Sequence, residues 1–244
     1  MRIVLTFFLA VCVMLTACRG QQTSVQKTRK AELLAQLSSN DALARSEALD
    51  QLRADPVALR DPNVQTALVS LLDRENNVTL TGDDEGYAEY VSWLAETVAK
   101  IVDWNDSRQV CILANSLALP HELADHAEVA VPCLLQRLRA SPVQLRGSIV
   151  EMLVRAVAKG KNGLDVVTLQ KVKQAIQSAL RDPDDSVRAD TVVALGKFGG
   201  EDMVSALEEV SKTDPSVDEA KHNYWIREYA AKAIAAIHER VGQH

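Results

Sequence analysis

DPDDSVRADTVVALGKF, residues Asp182–Phe198, reads as a capped turn running into one amphipathic helix. Asp and Pro at its start supply a capping oxygen, a fixed backbone angle and negative charge beside a helix N-terminus. Val187, Thr191, Leu195 and Phe198 then recur at i, i+4, i+8 and i+11, the spacing of a buried helical stripe. Gly199 and Gly200 end it. A single such helix has nothing against which to bury its stripe, so it requires neighbours of the same kind.

The chain supplies them. Shifted forward by 39 residues, Val187-Arg188, Thr191-Val192, Leu195 and Phe198 become Ile226-Arg227, Ala230-Ala231, Ile234 and Ile237. Shifted back by 42 they become Leu145-Arg146, Ile149-Val150, Leu153 and Ala156. Shifted back by 143 they become Ala44-Arg45, Ala48-Leu49 and Leu52. Tyr90-Val91, Leu94-Ala95, Val98 and Ile101 keep the apolar register without the arginine. A repeated helical unit of this size is the mark of a stacked array, in which neighbours bury one continuous core.

Composition agrees. Of 244 residues 47% are hydrophobic and 25% charged, as in an ordinary globular chain. Ten Gly and seven Pro are too few for an all-β protein with many tight turns. A formal charge of −6 argues against a dedicated nucleic-acid binder, which needs a basic stripe for phosphate. Between Asp-Pro and Ser-Pro turns the pattern predicts helices over Asp41–Leu52, Asn63–Leu72, Tyr87–Val102, Ser107–Leu119 and Ala127–Leu138. Further helices are predicted over Val143–Ala158, Leu164–Leu180, Asp185–Phe198, Glu201–Lys212 and Asn223–Val241. Pro132 predicts a kink, and Ser107–Leu119 stands as an extra helix without a clear partner.

Asp182-Pro183-Asp184-Asp185-Ser186-Val187-Arg188-Ala189, followed by Ala194-Leu195-Gly196-Lys197, resembles the HEAT repeats and the short HEAT-like repeats of bacterial proteins. The resemblance is strongest over 141–238, moderate over 31–102 and poorest over 103–126. It implies an all-α fold, an α-solenoid of about five HEAT-like helical hairpins. It also implies that the Val-Arg helix is the second of its unit. A turn Asp and a helix Arg six residues apart, here Asp182 and Arg188, would then belong to a hydrogen-bonded ladder between neighbouring units. Arg45, Arg146 and Arg227 share that register. Repeating with the stacking unit, these arginines read as structural rather than as converging anion ligands.

Ahead of the array, Met1–Gly20 (MRIVLTFFLAVCVMLTACRG) has one early cation, Arg2, and an apolar run too short for a stable bilayer span. Leu15-Thr16-Ala17-Cys18 resembles the bacterial lipobox. The resemblance implies a lipoprotein signal peptide over 1–17, removal at Cys18, lipidation of that cysteine and export to the cell envelope. Arg19, in place of the Asp that retains enterobacterial lipoproteins, implies the outer membrane facing the periplasm in a Gram-negative host. Residues 18–28 read as lipidated cysteine and tether. The eight polar residues Gly20–Lys27 reach about 28 Å at full extension, which keeps the repeat domain, 29–241, near the membrane.

Cys111 and Cys133 remain in the body. A disulfide across a helical hairpin and two buried free thiols both fit. His121-Glu122-Leu123-Ala124-Asp125-His126 places its histidines five apart rather than the four of a zinc-protease helix, so it reads as a solvated loop. Asp83-Asp84-Glu85 lacks the alternating ligands of a calcium loop. No metal site and no cofactor is predicted, and no Ser/His/Asp set or glycine-rich phosphate loop is visible.

The leading functional reading is a non-enzymatic, membrane-anchored scaffold or adaptor binding a protein or peptide, with no nucleic acid. The resemblance makes the second helices line the concave surface. Their off-stripe positions are Trp93, Glu96, Lys100, Glu151, Arg155, Asp190, Lys197, Trp225, Tyr229 and Lys232. Trp93 and Tyr229 fall at the register of Asp190, and Trp225 at that of Ser186. Two other readings remain open: an enzyme or enzyme subunit, such as the HEAT-like lyases that attach bilin pigments, and a purely structural envelope protein.

Overall fold

A computed structural model describes residues 26–78, 85–159, 163–218 and 223–242. The signal-peptide segment 1–17, Cys18, Asp83 and Asp84 lie outside the described residues. The chain divides into two compact units, Met1–Leu71 and Leu72–His244. The described part is helical throughout, apart from three short 3-10 turns and one isolated bridge between Asp218 and Asn223.

In the first unit α1 covers 26–37 and α2 covers Ala42–Arg53. A 3-10 turn at Ala58–Arg60 leads into α3, Pro62–Glu75, which runs across the unit boundary. Leu33, Leu37, Leu49, Leu52, Val64 and Leu68 form its buried core. The carboxylate of Asp41 accepts the Leu43 amide at 3.0 Å and caps α2, worth about 1 kcal/mol. Lys30 bonds Asp61 at 2.5 Å, tying α1 to the turn before α3.

The second unit holds α4 (Glu85–Ala99), α5 (Ser107–Ala114), α6 (Ala127–Ala140) and α7 (Val143–Lys159). It continues with α8 (Val166–Ala179), α9 (Asp185–Phe198), α10 (Val204–Thr213) and α11 (Trp225–Gly242). Helix α9 packs against α7 on one side and α11 on the other, while α8 packs on α7 and α10 on α11. This is an all-α repeat solenoid with α7, α9 and α11 as one layer. Its helix starts are set by aspartates: Asp106 caps α5, Asp165 caps α8 and Asp184 caps α9. Val187, Thr191 and Leu195 are fully buried, together with Ile149, Val150 and Leu153 of α7 and Ile226, Ala230 and Ile237 of α11.

Gly196 sets the approach of α9 to α11. A Cβ there would stand 3.1 Å from the Cβ and 3.2 Å from the Cα of Ala233. The obstacle is partly backbone, so it cannot swing aside. Gly196→Val is therefore expected to destabilise the unit by about 2 kcal/mol through overpacking. Gly196→Ala should cost less, because alanine recovers about 1 kcal/mol of helix propensity. Urea unfolding of the two variants checks the order.

Several boundaries differ from the sequence reading. The helix expected over Ser107–Leu119 stops at Ala114, and it does have a partner, α6. Arg137 of α6 donates to the carbonyls of Ala114 and Ser116, both at 2.6 Å, and so terminates α5 from outside. That long-range acceptor capture leaves no local sequence signal. Burial pushes the Arg137 guanidinium down to about 10, still charged at neutral pH. Helix α6 continues through Pro132, whose ring is exposed. A 3-10 turn, Glu201–Met203, replaces the first turn expected for α10.

Candidate functional site

The arginine register comes first, because it separates structure from surface. Arg188 Nη1 donates to the backbone carbonyls of Asp182 and Pro183 at 2.8 and 3.2 Å. Arg45 does the same in the first unit, to Ser39 and Asn40 at 3.2 and 2.9 Å. Each arginine thus closes the turn that precedes its own helix. The carboxylates pair one unit on: Arg146 meets Asp182 at 2.6 Å, and Arg188 meets Asp214 at 2.7 Å. So the six-residue spacing of Asp182 and Arg188 marks a side chain-to-carbonyl bond, and the charge ladder runs from unit to unit. Arg227 ends the series on the Asp214 carbonyl at 2.7 Å.

The last rung is nearly sealed, with side-chain exposures of 9% for Arg188 and 3% for Asp214. Burial pushes the Asp214 carboxyl up. Hydrogen bonds from Arg188, the Ser216 amide and the Ser216 hydroxyl outweigh it, and the carboxyl sits below its ordinary value of 3.8. Each ladder arginine thereby has at least one bond within the fold.

The off-stripe residues form three groups. On α7, Arg155 donates to Glu151 at 2.9 Å, shares a 2.6 Å contact with His121 Nδ1, and lies 4.5 Å from the Phe198 ring centre. On α9, Asp190 leans over Gly147 of α7, where a Cβ would stand 2.1 Å from Asp190 Oδ2. Burial and the nearby Glu151 raise the Asp190 carboxyl above its ordinary value, with Lys197 opposing. Glu151, Arg155, Asp190 and Lys197 therefore share one electrostatic neighbourhood across α7 and α9.

A second group is on α11. Trp225 meets Tyr229 edge-on at 5.6 Å, and Lys232 stands 5.8 Å from the Tyr229 ring centre. Tyr229 is 40% exposed. Because α9 packs directly on α11, the register that aligns Tyr229 with Asp190 places aromatic and acid on adjacent helices of one layer. Trp93 and Glu96 stand on α4, with Lys100 in the turn just after it, and α4 packs on α5. Glu96 and Lys100 are exposed, whereas Trp93 is half-buried.

Sequence reasoning missed the contacts of the segment before α6. His121 holds Arg155, Asp125 bonds Lys159 at 2.5 Å, and His126 stacks on Trp104 at 4.0 Å. The segment is not a solvated loop: Pro120, Leu123 and Ala124 are buried, and His121–Ala124 is a 3-10 turn. The signal available was the apolar Leu123-Ala124 pair inside the polar run. The two histidines serve separate contacts. Among the described residues no group of three His, Cys, Asp or Glu is placed to hold a metal ion. Cys111 and Cys133 are joined by a disulfide with Cα atoms 5.2 Å apart, clasping α5 to α6.

Residues 131–223 match the HEAT repeats family. The matched stretch begins in α6 and holds α7 to α10, with both carboxylate rungs of the ladder. Such repeats generally bind proteins. A designed armadillo repeat protein aligns at 14% identity and a TM-score of 0.43, covering 84% of this chain and 98% of its own. No curated protein matches the chain. No helix among the described residues is long and apolar enough to cross a membrane.

Proposed function

We propose that the protein is a non-enzymatic scaffold of the bacterial cell envelope, held to the membrane by a lipid on Cys18, that binds a protein or peptide along α7, α9 and α11. The observation that carries the binding reading is the layer itself. Its exposed side combines an acid pair, two lysines and an exposed tyrosine, while Arg146, Arg188 and Arg227 of the same helices bond the turns and carboxylates of the ladder. A partner suited to it is a segment offering both charges and an apolar or aromatic side chain for Tyr229, since exposed tyrosine is a frequent anchor of interfaces.

The envelope location rests on the leader, with Leu15-Thr16-Ala17-Cys18 at its end, and is supported by the disulfide, a bond that persists in oxidising compartments. Stable anchoring takes two or more acyl chains where one is marginal. Mass spectrometry of the protein recovered from membranes tests this half. Loss of residues 1–17 with a lipid mass on Cys18 is expected, and an intact Met1 would overturn it. For the binding half, a photo-crosslinking side chain at Tyr229 is expected to capture a discrete protein. The same group at Lys212 of α10 should capture none of it.

A further inference from the structure

A second site lies away from the α7–α9–α11 surface residues, in a cleft of about 470 Å³ between α6, the start of α7 and α8. It is lined by Arg139 of α6, Arg146 of α7, Lys171, Gln174 and Ser178 of α8, and Asp182 of the following turn. Three cations thus meet one carboxylate in a protein whose overall charge is −6. Asp182 is already used: one oxygen takes Arg146 at 2.6 Å and the other takes the Asp184 amide at 3.0 Å. Arg139 and Lys171 are exposed, and neither bonds a carboxylate among the described residues, although Lys171 stands near enough to Asp165 to help hold that carboxyl below its ordinary value. Among the described residues Arg146 engages a carboxylate through Nη1 alone, and its buried Nε–H meets no acceptor. The C-terminus of α6 accounts for one cation near it. It does not account for Lys171, which projects from the middle of α8.

Two positive charges with no carboxylate bonded to them, in one cleft beside an amide and a hydroxyl, suit a compact dianion carrying hydroxyl groups. The volume falls within the range of small-molecule sites. Arginine offers paired donors to phosphate oxygens and lysine adds a point charge. We propose that this cleft binds a small phosphate ester of a polyol, whether free or as the exposed head of a membrane lipid. This is independent of the protein partner proposed above.

The test is titration calorimetry of the full chain with glycerol phosphate, beside glycerol and acetate as uncharged and singly charged controls. Saturable binding of glycerol phosphate is expected, weakening as salt rises, with neither control binding. Arg139→Glu with Lys171→Glu should weaken it at least about thirtyfold, because each charged contact is worth tenfold or more. Arg139→Gln with Lys171→Gln, milder to the fold, should weaken it about tenfold or more. Arg60→Glu with Lys212→Glu, which removes the same charge elsewhere, should leave it unchanged. No saturable binding, equal binding of acetate, or equal loss in the Arg60/Lys212 variant would overturn the proposal. To separate sources, vesicles with glycerol-phosphate headgroups should compete with the free ester. If they do not, the free ester alone is the ligand.

Discussion

Arg188→Ala is expected to cost the second unit about 3–5 kcal/mol, the largest effect of any ladder substitution. The reason is what remains behind. Asp214 keeps 3% side-chain exposure, and without Arg188 its carboxylate holds only the Ser216 bonds while staying out of water. Two carbonyls of the preceding turn, Asp182 and Pro183, lose their donor in the same step. Asp214→Ala should also destabilise strongly, and the double variant should cost less than the sum, since each single change strands the other charge. Arg146→Ala should cost about 1 kcal/mol, because that rung is more exposed, at 24% and 10%. Urea unfolding of the four proteins reads this directly. Equal losses for Arg146→Ala and Arg188→Ala would show that burial does not govern the ladder.

The same pair gives a pH dependence with a definite sign. Asp214 has a folded value below 3.8, under that of an unfolded aspartate near about 3.9. Its contribution is present above the unfolded value and is lost as pH falls through the folded one. Unfolding free energy should therefore fall more steeply below about pH 4 in the native chain than in Asp214→Asn. Parallel acid profiles would contradict this.

Removing the disulfide is expected to have the second large effect. Cys111 and Cys133 are 22 residues apart, and closing a loop of that size stabilises by about 3 kcal/mol. The gain should be local. Helix α5 has eight residues, too few to persist alone, and Arg137 and the disulfide are its ties to α6. In Cys111→Ala with Cys133→Ala, hydrogen exchange across 107–114 should accelerate while α9 and α11 keep their protection. Unchanged exchange in α5 would show that packing and Arg137 suffice.

The array was legible because its units repeat the same physics. Val187, Arg188, Thr191 and Leu195 recur as Ile226, Arg227, Ala230 and Ile234, so periodicity and register could be checked against each other. The aspartate caps were legible too, since a cap acts within three residues of itself. Contacts made across long separations were not. Arg137 ends α5 from more than twenty residues away, and Arg155 reaches back 34 residues to His121. The ladder was half visible: spacing picked out Asp182 and Arg188, but only three-dimensional stacking assigns the Asp182 carboxylate to Arg146. Among candidate surface residues, helical register aligned Tyr229 with Asp190. It said nothing of Gly147, whose missing side chain lets Asp190 lie against α7.

Binding of a protein partner on the exposed side of α7, α9 and α11 is tested most directly by capture from envelope membranes with three forms of the full chain: native, Asp190→Arg with Tyr229→Ala, and Gln177→Arg with Lys212→Glu on α8 and α10. All four substituted residues are exposed, Tyr229 at 40%, so all three forms should fold alike by circular dichroism. A defined protein should be retained by the native chain and by the α8/α10 variant, and lost from the Asp190/Tyr229 variant. The same proteins retained by all three forms would contradict binding on that side.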